Sequence, residues 1–160
     1  ADAIVTQSYE VVRDGNPGNG NRVLASVARQ LHEKYGLPIL AQEELVAADP
    51  ELPTEHIAGD PSKSGESTAS WNTHEVAKTQ KKHLEKKYQE EIKVIVVAVP
   101  DHMGRAVWTY RKLGLTALAA PMPSIGYAGS EHACASHRWA WLFRAREILV
   151  RVLFWYWGYI

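Results

Sequence analysis

The residues best suited to chemistry lie in Val99-Pro100-Asp101-His102-Met103-Gly104-Arg105-Ala106. Asp101 can N-cap a helix there, with His102 in its first turn and Arg105 one turn further on. The free N–H groups and positive dipole end of such a helix suit an anion. His102 has the ring for general acid/base work or for donating a hydrogen bond, and Arg105 has the fork for a phosphate or carboxylate. The plainer alternative is a capped helix whose His and Arg point to solvent, and spacing alone favours it slightly.

A second constellation is Ser70-Trp71-Asn72-Thr73-His74-Glu75-Val76-Ala77. Asn72 or Thr73 suits an N-cap, and Glu75 sits where a capping-box carboxylate reaches back. Capping accounts for Asn72 and Glu75. The functional alternative places Ser70, Asn72 and Thr73 at the same ligand mouth as His102. Third is Arg22, which opens the first helix after the glycine-rich residues 15–20. Those residues match neither a Walker A pattern nor the dinucleotide fingerprint, so a surface turn is expected. A cation at a helix start opposes the dipole, so an inward-pointing Arg22 needs an anionic partner.

Other chemistries are disfavoured. The seven histidines include no His-Glu-x-x-His, and the single cysteine, Cys134, excludes a Cys-rich zinc module and an internal disulfide framework. No metal site is expected. There is no Gly-x-Ser-x-Gly elbow, and Cys134 reads as a buried, inert thiol.

The elements that must position these residues alternate in type. Short strand-like runs fall at 2–6, 37–40, 55–58, 93–99 and 115–119, and Lys93 to Val99 is continuously apolar after its first residue, as in a central parallel strand. Helical spacing runs from Val23 to Gly36, over 73–88, from Met103 to Gly114, and over 135–157. In that final helix Trp141, Leu142, Ala145, Ile148, Leu149, Val152 and Trp155 form one broad face, expected to pack on the sheet. The aromatic run Trp155 to Tyr159 also suits a membrane interface or a partner chain. The alternation predicts a three-layer α/β/α Rossmann-like sandwich, a single domain over 1–160, with a mainly parallel sheet of about five strands. Such sheets bind ligands beyond their C-terminal strand ends, which points to segments 7–21, 41–45, 59–73 and 99–102.

The bulk numbers agree. A chain of 160 residues, 46% hydrophobic, fits one domain with a real core. Eighteen basic residues balanced by eighteen acidic ones exclude a nucleic-acid binder that relies on many phosphate contacts. The chain opens Ala1-Asp2 with no initiator Met and no basic-then-apolar leader. That start fits either a cytoplasmic protein as given or a domain cut from a longer, anchored protein.

The order of motifs resembles the YdcF-like family of bacterial proteins, which includes the SanA and ElyC envelope proteins. The matching residues are Asp2-Ala3-Ile4-Val5, Arg22, Ser70-x-Asn72-Thr73-x-Glu75-x-Ala77, Pro100-x-His102-Met103-x-Arg105-Ala106, and Arg146-Glu147 in the last helix. The pattern spans almost the whole chain. The chain departs from it at Gln7-Ser8-Tyr9 and at Ala41-Gln42-Glu43, where the family carries glycines.

The resemblance implies a Rossmann-like fold with a pocket built from those loops. It also implies S-adenosylmethionine as a ligand of some members and a link to cell-envelope biogenesis. Two functions are therefore expected. One is a site for a small anionic or nucleotide-like ligand, built from Arg22, Ser70, Asn72, Thr73 and Arg105, with His102 as the acid/base. The other is a non-catalytic envelope module, contacting a membrane surface or a protein through its aromatic C-terminus.

Overall fold

β-branched residues from Val94 to Val97 make the most regular strand of the chain, and two other apolar runs pair with it on either side. The computed structural model describes residues 1–9, 17–58, 73–125 and 140–158. In chain order the elements are β1 (Ala3–Thr6), α1 (Gly18–Tyr35), β2 (Ile39–Gln42), α2 (Glu43–Ala48), β3 (Thr54–Ala58), α3 (Thr73–Glu85), β4 (Lys93–Val97), α4 (Pro100–Lys112), β5 (Thr116–Ala119) and α5 (Ala140–Tyr156). The sheet is five-stranded with order β3-β2-β1-β4-β5, and every pairing is parallel. Strand order reverses between β1 and β4, so a ligand crevice belongs outside their C-terminal ends.

Side chains alternate across the strands and supply two separate cores. Ala3, Val5, Leu40, Val94 and Val96 meet α3 and α4 through Ala77, Leu84, Ala106 and Tyr110. Ile4, Ile39, Ala41 and Val97 meet α1 and α2 through Leu24, Ala28 and Leu45 on the opposite face. The result is a three-layer α/β/α Rossmann-like sandwich.

A polar strut crosses the first core. Gln80, fully buried on α3, donates to the carbonyls of Thr6 (3.2 Å), the last residue of β1, and Leu40 (2.9 Å) within β2. The Tyr110 hydroxyl donates to Gln80 and accepts from Gln7 Nε2 at 2.8 Å. Burial pushes the Tyr110 hydroxyl above its ordinary value, so it remains a donor.

Three local expectations need correcting. α1 begins at Gly18 rather than near Val23, because Asn21 folds back to donate to the Pro17 carbonyl (2.8 Å) and accept from the Tyr9 N–H (2.8 Å). Asp101 does not cap α4. Pro100 occupies the first turn with Val99 as the cap, and the Asp101 carboxylate instead accepts from Arg144.

The third correction concerns α5. The broad face expected to pack is mostly the outer one, with Trp141 67%, Leu149 60% and Trp155 73% exposed, and Ile148 and Val152 likewise open. The stripe that turns inward is Phe143, Glu147, Val150 and Phe154.

Candidate functional site

α4 starts directly where β4 ends, so its first two turns face the crevice at the strand-order reversal. His102 and Arg105 lie on the inner side of those turns and are both buried. Thr73 opens α3 beside them. α5 passes over the strand ends and lowers Glu147 into the same place.

These four side chains close a hydrogen-bonded ring. Arg105 donates from Nε and Nη2 to the two Glu147 oxygens, at 2.9 and 2.8 Å, the bidentate geometry in which a guanidinium binds a carboxylate best. Its Nη1 donates to Thr73 Oγ1 at 2.7 Å. Thr73 Oγ1 lies 3.3 Å from His102 Nε2, and His102 Nδ1 lies 3.3 Å from Glu147 Oε2. Because Thr73 Oγ1 already accepts from Arg105, its own hydrogen is available to His102 Nε2. The ring proton then belongs on Nδ1, donated to Glu147 (a tautomer assigned from the network). The Arg105 guanidinium also lies over the Phe154 ring, 5.0 Å from its centroid.

The charge states follow from this geometry. Burial alone would raise the Glu147 carboxyl, but the bonds from His102 and Arg105 outweigh it and hold the group well below the usual carboxylate range. Burial, and then the nearby Arg105 charge, push His102 down, against the weaker pull of Glu147. The ring is thus an ionised Glu–Arg pair with a neutral imidazole.

This cluster forms one wall of a cavity of about 420 Å³. Gln7, Ser8 and Tyr9 line it from just past β1, Gln42 from the end of β2 and Val99 from between β4 and α4, together with α5. Gln7, Ser8 and Tyr9 each have a defined position. Gln7 bonds Tyr110, the Ser8 N–H donates to Gln42 Oε1 (2.9 Å), and Tyr9 packs edge-on to Phe143 at 5.4 Å. Bulk at these positions makes the floor of the cavity rather than blocking it.

Of the residues singled out from sequence, His102, Arg105 and Thr73 come together at this wall. Arg22 lies exposed one turn into α1 and is not among the residues lining the cavity. Ser70, Asn72 and Cys134 lie outside the described residues. Glu147 and Arg146 are the residues that sequence reasoning left unassigned. Their signal is present in the spacing, since Phe143, Val150 and Phe154 fall at i, i+7 and i+11, with Glu147 in the i+4 position of an otherwise apolar stripe.

Among the described residues no group of three or more His, Cys, Asp or Glu is placed to hold a metal ion. No helix among them is long and apolar enough to cross a membrane. No family model, no curated protein and no solved structure matches the chain.

The neutral state of His102 sets a pH dependence. Its pKa in the folded protein lies below the ordinary 6.5, so the unfolded chain takes up the proton first. Stability is therefore complete above about pH 6.5 and falls as pH drops through that value, by at most ~1.4 kcal/mol per pH unit for one proton. Between pH 7.5 and 5.5, urea unfolding of the wild-type protein should show a loss about 1 kcal/mol larger than that of His102→Asn. Equal losses in the two proteins would contradict a buried neutral His102.

Proposed function

We propose that the cavity at the C-terminal ends of β1, β2 and β4 binds a small anionic or nucleotide-like ligand, as the resemblance to YdcF-like proteins implies. The observation that carries this reading is the charge of its wall. Among the described lining residues two guanidiniums, Arg105 and Arg146, stand against one carboxylate, Glu147, with His102 neutral beside them. An unbalanced positive charge in a partly enclosed, low-dielectric site favours an anion. The position supports it too, since open α/β sheets bind ligands at this reversal of strand order, and about 420 Å³ lies within the usual range for small-molecule sites.

S-adenosylmethionine would bring a carboxylate to this wall but also a sulfonium that the same charge repels. A nucleotide-like or sugar-phosphate-like anion fits better. His102 is the group able to exchange a proton with such a ligand. For that the Thr73 hydroxyl must release Nε2, after which Glu147 would stabilise the imidazolium.

Ligand binding should raise the melting temperature. At a hundredfold excess over Kd the gain is about 2.7 kcal/mol, several degrees for a chain of this size. Adenosine monophosphate, glucose 6-phosphate and S-adenosylmethionine should be compared in a thermal-shift assay, with at least one of the phosphates stabilising the protein and the effect reduced in His102→Asn. No stabilisation by any of the three would contradict the reading.

A second reading, an envelope-associated interaction module, is favoured by the outer face of α5. Trp141, Ile148, Leu149, Val152, Trp155 and Tyr156 are exposed there together, and the exposed charges of the helix, Arg144 and Arg151, are both basic. An apolar face with aromatic ends and basic flanks suits an anionic lipid surface. On this reading the protein co-sediments with phosphatidylglycerol vesicles, and Leu149→Ser/Val152→Ser reduces the bound fraction severalfold. Equal sedimentation of the two proteins would count against it.

A further inference from the structure

The ligand reading leaves open which cation meets the anion, and the geometry points away from the obvious one. Arg105 is fully engaged, with Nε and Nη2 on Glu147, Nη1 on Thr73 and its face on Phe154. To reach a ligand it would have to abandon a buried carboxylate, which is costly.

Arg146 lies one residue before Glu147 on α5, half-buried, and it lines the same cavity. It makes no hydrogen bond or ion pair with any described residue. It is close enough to His102 for its charge to disfavour the protonated ring. Because residues one apart on a helix point about 100° apart, Glu147 can fix the helix while Arg146 faces the cavity space.

The rest of the α5 wall has a different character. Phe143, Val150, Leu153 and Phe154 line it, and Trp157 closes it. The site is therefore bipolar, with a cation beside His102 and an apolar, partly aromatic surface running away from it. A bare inorganic anion would leave that surface wet, and a neutral apolar molecule would leave the guanidinium unanswered.

We infer that Arg146 is the anchoring cation of the cavity, and that its ligand is a compact phosphate, sulfonate or carboxylate carrying a flat or aliphatic apolar body that lies along Val150, Leu153 and Phe154. This inference rests on the ligand reading above and sharpens it. Arg105 is then a positioning residue, holding Glu147 and through it α5, while Arg146 touches the ligand.

The test uses the full chain and 1-naphthyl phosphate as probe, titrated by calorimetry beside 1-naphthol and inorganic phosphate. The wild-type protein should bind 1-naphthyl phosphate at least about tenfold more tightly than either half-molecule, since both the charge and the body are used. Arg146→Gln should lose about tenfold or more of that affinity, the usual scale for one charge-assisted hydrogen bond, while its urea midpoint and its weak binding of 1-naphthol stay unchanged. Leu149→Ser/Val152→Ser, on the outer face of α5, should bind as the wild type does. Wild-type affinity in Arg146→Gln would overturn the assignment while leaving the ligand reading intact. A probe lost from the outer-face variant instead would also overturn it, by placing the ligand outside the cavity. Absence of binding to the wild-type protein would overturn both the inference and the ligand reading for this class.

Discussion

A carboxylate taken out of water needs a cation held in good geometry, and among the described residues Arg105 is the one that answers Glu147 in that way. The two arrive from different parts of the chain, Arg105 on a helix rooted in the sheet and Glu147 on the final helix. Leaving either alone would strand a buried charge, at a cost of about 3–5 kcal/mol, although an apolar pair of the same volume can be as stable. The pair therefore contributes less to raw stability than to choice of arrangement. α5 is apolar on more than one face, and Phe143 and Phe154 are its only fully packed aromatic anchors among the described residues. Apolar burial could be satisfied by several rotations of that helix. Only one of them brings Glu147 to a guanidinium, and that rotation also puts Arg146, Val150 and Leu153 over the strand ends. The cavity exists because of it.

Beneath the cavity the constraint is different. The Thr6 and Leu40 carbonyls of β1 and β2 would otherwise face an apolar core without partners. Gln80 answers both carbonyls, and Tyr110 joins Gln80 to Gln7. A satisfied buried network of this kind rigidifies the floor. It also explains how Gln7 can stand at the crevice, since its amide bonds Tyr110 in the core. The floor is thus fixed by a polar strut and the roof by an ion pair, with His102 and Thr73 bonded between them.

Much of this was readable in the sequence. The five strands follow from short apolar runs, and the parallel sheet from Val94 to Val99, whose continuous apolar character has no solvent side. That His102, Arg105 and Thr73 share one mouth is legible only as the functional alternative to plain helix capping, since each lies at the start of a helix that follows a strand or loop. What was not readable has physical causes. Asp101 looks like a cap by residue type, but the fixed φ of Pro100 puts it inside the helix. Residues 18–20 look like a turn, and only the long-range bond from Tyr9 to Asn21 shows why they are helical. The rotation of α5 is not legible, because hydrophobic periodicity rejects a charged residue from an inner face. Glu147 belongs there only once Arg105, 42 positions away in sequence, is known to face it. Its partner is a tertiary fact, and so is the consequence that Trp141, Leu149 and Trp155 face outward.

The claim on which the account turns is that Arg105 and Glu147 act as one unit in seating α5. A double-mutant cycle measures this directly, using urea unfolding of Arg105→Met, Glu147→Gln and the double variant at pH 7.5. Each single change leaves a buried charge or a broken fork and should cost several kcal/mol, whereas the double change removes both charges, so its cost should fall short of the sum by about 2 kcal/mol or more. Costs that add to within about 0.5 kcal/mol would mean the two residues do not depend on each other, and would contradict the account.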